Sequence, residues 1–522
     1  MEEKEKIIHL IPKKKKGILR LIFSRLLIIG ALIAFQVLML LIIYVWFSKY
    51  IPHFEIMQGL FSIGMVIYLF KCDMDSSSKL TWLFIIMLSP VSGTILLWFT
   101  KRDIGNFAMK ERLNYLISET KNKLPQDGKV INNPDIINSC TDDLCRYLNR
   151  SGCFPIYANT DVKYFPSGEE KFVALLDELA KAEKFIFLEY FILDEGYMWG
   201  KMLAILAEKA KQGVDVRVMY DGMCEISTLS FDYPERMAKL GIKCKDFSPI
   251  RPFISTHYNY RDHRKILVID GKVAFNGGIN LADEYINRTE RFGYWKDTAV
   301  MLKGEAVQSF TLMFLQMWNM SEKTPQWDEF LTDVYKKPES RGFVMPYSDQ
   351  PLDDYKVGES VYMDILNRAT DYVHIMTPYL ILDDTLETAL KFSAQRGVDV
   401  KIILPGIPDK KMAYSLAKSH YKSLIQSGVK IYEYTPGFVH AKVWTCDDCK
   451  AVVGTINLDY RSLYHHFECA TYMYKMDCIS DIERDFNDTL TKCREVTPET
   501  IRKEKLFYKF WGSVMKIIAP LM

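Results

Sequence analysis

The chain has 522 residues, of which 49% are hydrophobic and 25% are charged. Its 67 Lys and Arg nearly balance its 65 Asp and Glu, and a net charge of +2 provides no overall positive field, which argues against nucleic acid as a partner. Because single hydrophobic cores rarely grow past about 300 residues, we expect two or three domains.

Residues 1–104 are predicted to anchor the chain in a membrane. Residues 26–47 form an apolar run that is long enough to span a bilayer and too long for the apolar part of a signal peptide. Two further apolar segments follow at 56–70 and 80–99; the first is short for a span, and the second carries a proline and a glycine at its middle. The number of crossings is therefore open.

Basic residues flank this region on both sides. Eight precede the first apolar run: Lys4, Lys6, Lys13, Lys14, Lys15, Lys16, Arg20 and Arg25. Four follow the third segment: Lys101, Arg102, Lys110 and Arg112. Since basic flanks stay in the cytoplasm, the pattern favours two spans, one segment that does not cross, and a main domain on the cytoplasmic side of the cell membrane. Three spans with an external domain are the alternative.

The cysteines predict no disulfide framework and no metal site. They are eleven in number and scattered, which is typical of reduced thiols in the cytoplasm. The motif CDDC at residues 446–449 resembles half of a zinc site, but no second pair follows at metal-ligand spacing. We interpret it as a hairpin turn with structural thiols, and we predict no cofactor.

The rest of the chain repeats itself. KQGVDVRVMYDG at residues 211–222 is matched by QRGVDVKIILPG at 395–406, and each copy joins a helix to a β-branched strand. The alternation predicts an α/β fold with two similar α/β/α halves, each with a buried sheet covered by helices. The predicted segments are a helical linker, a first half, a second half and a C-terminal helix, at residues 105–130, 131–340, 341–500 and 501–522.

A second repeat carries the polar residues. HRKILVIDGKVAFNGGIN at 263–280 is reproduced by HAKVWTCDDCKAVVGTIN at 440–457. Four polar residue types keep their relative positions in the two copies: His263, Lys265, Asp270 and Asn280, and His440, Lys442, Asp447 and Asn457. One copy alone would be interpreted as a polar strand edge. Two copies favour one composite site, formed where the halves meet about a pseudo-two-fold axis.

The residue types of this site suit a phosphate. Side chains two apart on a strand face the same side, so each histidine would project with its lysine. Two ammonium groups and two amides would form a cage for a tetrahedral oxyanion. One histidine could attack phosphorus while the other protonates the leaving oxygen, without a metal, because the lysines supply the charge. Asp270 and Asp447 have the alternative of only stabilising their turns.

Each histidine should also have a carboxylate partner that holds its other ring nitrogen. Asp297 in GYWKDTA and Glu468 in HHFECA are the predicted partners, with surface or ion-pair positions as the alternative.

A helix predicted near the C-terminus is apolar on one face and has lysines around that face. The apolar residues are Phe507, Phe510, Trp511, Val514, Ile518 and Leu521, and the lysines are Lys503, Lys505, Lys509 and Lys516. This helix is predicted either to lie on a membrane surface or to dock on the core.

The paired H-x-K-x4-D motifs followed by G-x-x-N resemble those of the phospholipase D superfamily, and the surrounding sequence is similar to the bacterial cardiolipin synthases over nearly the whole chain. The resemblance implies that phosphatidylglycerol in the membrane is the substrate and that one molecule leaves a phosphatidyl group on histidine. A second phosphatidylglycerol then accepts that group, and glycerol is released. The oligomeric state is not predicted.

The resemblance also implies roles for the motif residues. His263 would be the nucleophile and His440 the general acid, although the symmetry of the repeat leaves the reverse order open. The two lysines and asparagines would bind phosphate, Asp297 and Glu468 would orient the histidines, and the motif aspartates would belong to the catalytic set. Three positions depart from the usual pattern, namely Asp262, Ala299 and His466. Asp262 is expected to raise the pKa of His263.

Three rival functions remain at this stage. A membrane-bound hydrolase of the same superfamily would use water as the acceptor. A nuclease would favour a basic groove, which the neutral charge and the apolar N-terminus argue against. A membrane scaffold with a degenerate site would have no need of two complete motifs.

Overall fold

The computed structural model describes residues 7–10, isolated positions between 38 and 50, 54–98 and 107–521, with gaps at 73, 89, 91, 92, 95, 140, 250–259 and 332–339. Among the helices in these residues, none has the length and apolar character needed to cross a bilayer. The predicted span at 26–47 lies largely outside them. The segment 56–70 falls on the helix Phe54–Lys71, and the first part of the segment 80–99 falls on the helix Ser76–Leu88.

The first half of the described chain contains one seven-stranded mixed sheet. Nine strands occur here: β1 (Thr160–Phe165), β2 (Phe185–Tyr190), β3 (Asp215–Asp221), β4 (Lys243–Phe247), β5 (Arg261–Asp262), β6 (Lys265–Ile269), β7 (Val273–Gly277), β8 (Tyr294–Lys296) and β9 (Ala299–Gly304). The order in the sheet is β1-β9-β7-β6-β2-β3-β4. The two shortest strands, β5 and β8, pair elsewhere.

The second half contains a sheet with the same order of strands. Its strands are β10 (Phe343–Asp349), β11 (Tyr372–Met376), β12 (Asp399–Pro405), β13 (Lys430–Tyr434), β14 (Gly437–Val439), β15 (Val443–Cys446), β16 (Lys450–Gly454), β17 (His466–Tyr474) and β18 (Cys493–Glu495). The order β10-β17-β16-β15-β11-β12-β13-β18 matches the first sheet strand for strand, and β18 is added at the edge. The predicted α/β class is confirmed.

Helices pack on these sheets and connect their strands. Those that precede or belong to the first half are Phe107–Thr120, Gly128–Ile131, Pro134–Asn138, Thr141–Gly152, Gly168–Ala180, Tyr197–Lys211, Met223–Ser227, Tyr233–Ala238, Val307–Trp318 and Asp328–Leu331, with the 3₁₀ turn Asp283–Ile286. Those that follow are Val357–Arg368, Asp384–Gln395, Lys411–Gln426, Tyr460–Tyr464, Ile479–Leu490, Pro498–Arg502 and Leu506–Ile518, with the 3₁₀ turn Ala519–Leu521.

The repeated sequence G-V-D-V marks the end of a crossover helix in both halves. Gly213 and Gly397 adopt left-handed backbone angles, with φ of +93° and +98°, which a glycine accepts without the strain of a side chain. The chain then enters β3 or β12, each parallel to the strand before its helix. The predicted strand, helix and strand units are therefore present in both halves.

Short strands are exchanged between the halves. β5 pairs in parallel with β17, with Arg261 opposite His466, and β14 pairs in parallel with β8, with Phe438 opposite Trp295. Each exchanged strand leads directly into one copy of the histidine motif. The two motifs therefore meet at the boundary between the sheets.

The helix Phe107–Thr120 in the predicted linker is packed against the core. Leu113 and Leu116 are buried, and the Arg112 guanidinium donates to the carbonyl oxygens of Asn319 and Glu322 at 3.0 and 2.7 Å. This part of the chain is held in place by side-chain and backbone contacts.

The C-terminal helix Leu506–Ile518 has apolar residues on two sides. Met515 is buried and Trp511 packs with it against the core. Phe507 and Phe510 remain 48% and 64% exposed. The single apolar face predicted from the sequence is thus divided between a docked side and an exposed side.

Candidate active site

Each motif histidine is held by backbone from the other half. The amide of His263, between β5 and β6, donates to the carbonyl oxygen of Phe467 at 2.9 Å. The amides of His440 and Ala441, after β14, donate to the carbonyl oxygen of Lys296 at 2.7 and 3.2 Å. The exchange of short strands thus positions both histidines.

Each histidine is also paired with a carboxylate from the other half. His263 Nδ1 lies 2.8 and 3.0 Å from the carboxylate oxygens of Glu468, and His440 Nδ1 lies 2.6 Å from Asp297 Oδ2. All four side chains are buried. The sequence identified both acids but not the crossed pairing, because each acid follows the motif of its own half.

One position in each motif contacts the carboxylate that holds a histidine, and its side chain differs between the two motifs because the carboxylates, Glu468 and Asp297, differ in length. Thr455 donates its hydroxyl to Glu468. The equivalent position in the first motif is Gly278, where a Cβ atom would lie only 2.1 Å from Asp297 Oδ1. The glycine therefore makes room for Asp297, whereas the threonine supports Glu468. In the sequence, this difference is visible as GGIN in the first motif and GTIN in the second.

The environment keeps both histidines neutral. Burial is the main cause that lowers the pKa of His263 well below its ordinary value, although Glu468 opposes the shift. Burial, followed by the charge of Lys442, lowers the pKa of His440 to about 4. The pKa of His263 therefore shifts downward, opposite to the direction expected from Asp262, because burial dominates. A neutral ring whose Nδ1–H donates to a carboxylate has a lone pair on Nε2 for nucleophilic attack.

Glu468 is an ionised acceptor in a positively charged setting. Burial acts to raise the pKa of its carboxyl group, but contacts with His263, His466 and Lys265 outweigh burial, and the pKa is lowered. The carboxylate form is the one that can accept the proton of His263 Nδ1.

Three buried lysines, rather than the two predicted, contribute positive charge to the site. The motif lysines donate to the carbonyl oxygens of their own histidines. Burial is the main cause that lowers the pKa of Lys265 to about 8 and that of Lys442 to about 7. Lys171, on the helix Gly168–Ala180, is also buried, and its Nζ donates to the carbonyl oxygen of Ile279 at 3.3 Å. Burial lowers its pKa to about 7, and the charges of Asp297 and Lys265 also act on it. A lysine among the apolar residues of an amphipathic helix is the sequence feature that could have identified Lys171 as buried.

The two motif asparagines differ in their contacts. Asn280 accepts from the amide of Ile192 at 3.0 Å and donates to the hydroxyl of Tyr285 at 2.8 Å, so it supports the loop after β2. Asn457 Oδ1 is buried and has no hydrogen-bond partner among the described residues. The pair is therefore close to the site but not equivalent, and phosphate binding by these amides stays a prediction.

The motif aspartates lie at the far ends of the motif strands. Asp270 has a φ of 53°, and its carboxylate accepts hydrogen bonds from three successive backbone amides before and at the start of β2. Asp447 has a φ of 50°, and its carboxylate accepts hydrogen bonds from three successive backbone amides before and at the start of β11. Five residues of strand put each about 16 Å from its lysine. The structure does not bring them to the histidines, and it gives them the turn-stabilising position that was the alternative.

A third histidine, His466, lies beside His263. Their ring centroids are 5.4 Å apart, and Phe191 packs edge-on against His263 at 4.8 Å. Among the described residues, one cluster has potential metal ligands in mutual reach, and it consists of His263, His466 and Glu468.

Comparison with protein families identifies the chain. The family model described as "Cardiolipin synthase, PLD-like domain" matches residues 175–318 and 362–490, which is more than half of the chain, and each match contains one histidine motif. The chain belongs to the cardiolipin synthase family. The resemblance predicted from the motifs is confirmed.

Two individual relatives carry the name of this family, and a third, more similar relative is uncharacterized. Cardiolipin synthase from Geobacillus sp. (strain WCH70) is 32% identical over 468 residues, which cover 89% of this chain and 93% of that protein. Cardiolipin synthase 2 from Bacillus anthracis is 33% identical and covers 88% of this chain and 90% of its own length. An uncharacterized protein from Streptococcus mutans is 60% identical over 88% of this chain and its own full length. The chain is therefore a phosphatidyltransferase of the phospholipase D superfamily.

A solved structure has the same fold. Phosphatidylserine synthase from Haemophilus influenzae Rd KW20 superposes with a TM-score of 0.56 at 16% sequence identity, and the match covers 73% of this chain and 100% of that chain. At this identity the likeness shows the fold alone.

Proposed function

We propose that the chain transfers a phosphatidyl group from one phosphatidylglycerol to another, giving cardiolipin and glycerol. One observation carries the proposal: in a member of the cardiolipin synthase family, two buried neutral histidines each have Nδ1 held by a carboxylate, at 2.6 to 3.0 Å. The neutral form of His263 suits a nucleophile, and His440 becomes the acid once the bound phosphate favours protonation of its Nε2.

The proposed reaction has two steps. His263 Nε2 attacks phosphorus of the first lipid, the bond from phosphorus to the glycerol headgroup oxygen breaks, and His440 gives a proton to that oxygen. His440 then takes a proton from a headgroup hydroxyl of the second lipid, whose oxygen attacks the phosphohistidine and frees His263. Burial and the charge of Lys442 lower the pKa of His440 to about 4, and the anionic phosphate of the lipid opposes this shift and favours the protonated ring.

We also propose that the two halves, at 131–340 and 341–500, are related by a pseudo-two-fold axis. The equal order of strands and the crossed contacts of the two histidines support this relation. In this arrangement the three buried lysines surround one shared phosphate position. Asn457 Oδ1 can then accept a hydrogen bond from a donor group of the substrate.

We propose attachment to the cell membrane by the N-terminal region, with the active site on the cytoplasmic side. The C-terminal helix supports the membrane attachment, because its exposed Phe507 and Phe510 lie among lysines suited to anionic headgroups. Thr81 of the N-terminal region donates to the carbonyl oxygen of Ile517 at 2.6 Å, which connects the two regions. Anchoring confines enzyme and lipid substrates to one plane and raises their effective concentration.

Product analysis tests the proposed reaction. The purified full chain, mixed with phosphatidylglycerol vesicles, is expected to float with the vesicles and to produce cardiolipin and glycerol in equal amounts, measured by mass spectrometry. Phosphatidic acid as the main product would instead indicate a hydrolase, and no turnover by a vesicle-bound protein would indicate a scaffold. Either result would contradict the proposal.

Anion binding is expected to weaken at alkaline pH. Burial lowers the pKa of Lys442 and Lys171 to about 7 and of Lys265 to about 8, so the ammonium forms that hold an oxyanion are lost as the pH rises through this range. We expect the affinity for sulfate, whose charge is constant here, to fall about tenfold or more between about pH 6.5 and about pH 9. Isothermal titration calorimetry measures it.

The control for this measurement is Lys442→Met, which removes one of the titrating charges. This variant should bind sulfate more weakly at the lower pH and should show a flatter pH dependence. Equal sulfate affinity of the natural chain at both pH values would contradict an oxyanion site made of these lysines.

A further inference from the structure

His466 is a buried polar side chain without a role in the reaction described above. It is only 8% exposed, and neither ring nitrogen has a hydrogen-bond partner among the described residues. Its Nδ1 lies 3.7 Å from Glu468 Oε1, and its ring is beside that of His263. A buried imidazole with both nitrogens unbonded is costly, which calls for a ligand or a function.

The surrounding groups have the composition of a transition-metal site. One ring nitrogen of His263, one of His466 and one carboxylate oxygen of Glu468 all lie within 4.8 Å of one another, and the three residues are buried. Ligand atoms around a tetrahedral zinc ion are roughly 3.3 Å apart, so small side-chain rotations would bring the three into contact with one ion. Two imidazoles and one carboxylate leave a fourth position open, as in catalytic zinc sites.

We propose that this cluster binds one divalent transition-metal cation of the zinc type, and that the bound cation switches off the nucleophile. This inference rests on the proposed function, in which His263 attacks phosphorus. It concerns regulation of the site and adds no metal to the reaction itself.

The loss of the nucleophile follows from the two nitrogens of one imidazole. When a cation bonds to His263 Nδ1, the Nδ1 hydrogen bond to Glu468 breaks, and the proton moves to Nε2 to keep the ring neutral. Nε2 then has no lone pair to attack phosphorus. When the cation bonds to Nε2 instead, that same lone pair is used in the metal bond. Either mode of binding blocks the attack.

The ligand set also predicts which cations bind. Two of the three donors are nitrogen atoms, which favours zinc, copper, nickel or cobalt over magnesium and calcium. The ammonium group of Lys265 contributes a positive charge that acts on Glu468 and opposes a dication. We therefore expect reversible binding that is weaker than at closed four-ligand structural sites.

Metal binding without lipid tests the site directly. The full chain in the Cys446→Ser, Cys449→Ser background, which removes the CDDC thiols, is titrated with zinc and with cobalt. We expect one zinc per chain, a visible cobalt spectrum without a thiolate band, and at least tenfold weaker binding in His466→Asn. His465→Asn, at the next residue, is the matched control and should bind as the parent does. Binding that is equal in His466→Asn and the parent would overturn the site.

Inhibition tests the second part of the inference. Zinc is expected to stop cardiolipin formation over the concentration range in which it occupies the site, and His466→Asn should need at least tenfold more zinc, relative to its own metal-free activity. Equal zinc sensitivity of parent and variant would overturn the switch. A protein that binds zinc as expected but makes no cardiolipin without metal would contradict the proposed function and leave the metal site supported, so the two failures are distinguishable.

Discussion

His263→Ala and His440→Ala are each expected to lower cardiolipin formation about a thousandfold or more, because each removes a group that takes part in bond making or proton transfer. Neither ring can substitute for the other, since each is held by its own crossed carboxylate at 2.6 to 3.0 Å. Initial rates on phosphatidylglycerol vesicles measure the loss. Cys446→Ser, at the end of β15, is the control and should keep most of the activity.

A second substrate separates the roles of the two histidines. Phosphatidyl nitrophenol has a leaving group that departs without a proton, so a variant without the general acid can still form the phosphohistidine. With phosphorus-labelled substrate, His440→Ala should become labelled and His263→Ala should not. Label on His263→Ala alone would reverse the assignment. Substantial cardiolipin formation by either variant on natural lipid would contradict the mechanism with two histidines.

Glu468→Gln and Asp297→Asn are expected to lower kcat about a hundredfold to ten-thousandfold. Each amide can donate as well as accept, so it no longer enforces the tautomer with the proton on Nδ1 and the lone pair on Nε2. Loss of the Glu468 charge also removes an interaction that raises the pKa of Lys265, so its ammonium form should be lost at lower pH. Initial rates as a function of pH measure both effects.

The matched controls are Asp270→Asn and Asp447→Asn, which change motif aspartates that lie away from the histidines. Each native carboxylate accepts hydrogen bonds from three backbone amides at the start of a strand. We expect these variants to lower the melting temperature by a few degrees and to keep most of the kcat of the folded protein. A loss of kcat equal to that of Glu468→Gln, without a change in melting temperature, would contradict their turn-stabilising position.

In the C-terminal helix, the sequence pattern did not predict which apolar residues are buried. Its apolar spacing predicted one face and two alternatives, membrane contact or docking. In the structure Met515 is buried and Phe510 is 64% exposed, so apolar residues occur on both sides of the helix. Periodicity identifies apolar positions, but it does not identify which of them meet protein.

The amino-acid sequence by itself determined the α/β class, the family and the residue types of the site, because two copies of one spaced motif are visible without any contact information. Only the tertiary structure decided the pairing of His263 with Glu468 and of His440 with Asp297, the inclusion of Lys171, and the place of His466. The physical reason is the exchange of β5 and β14 between the halves, which brings together groups more than a hundred residues apart. The spacing of residues within one segment does not predict contacts between segments that are far apart in the chain.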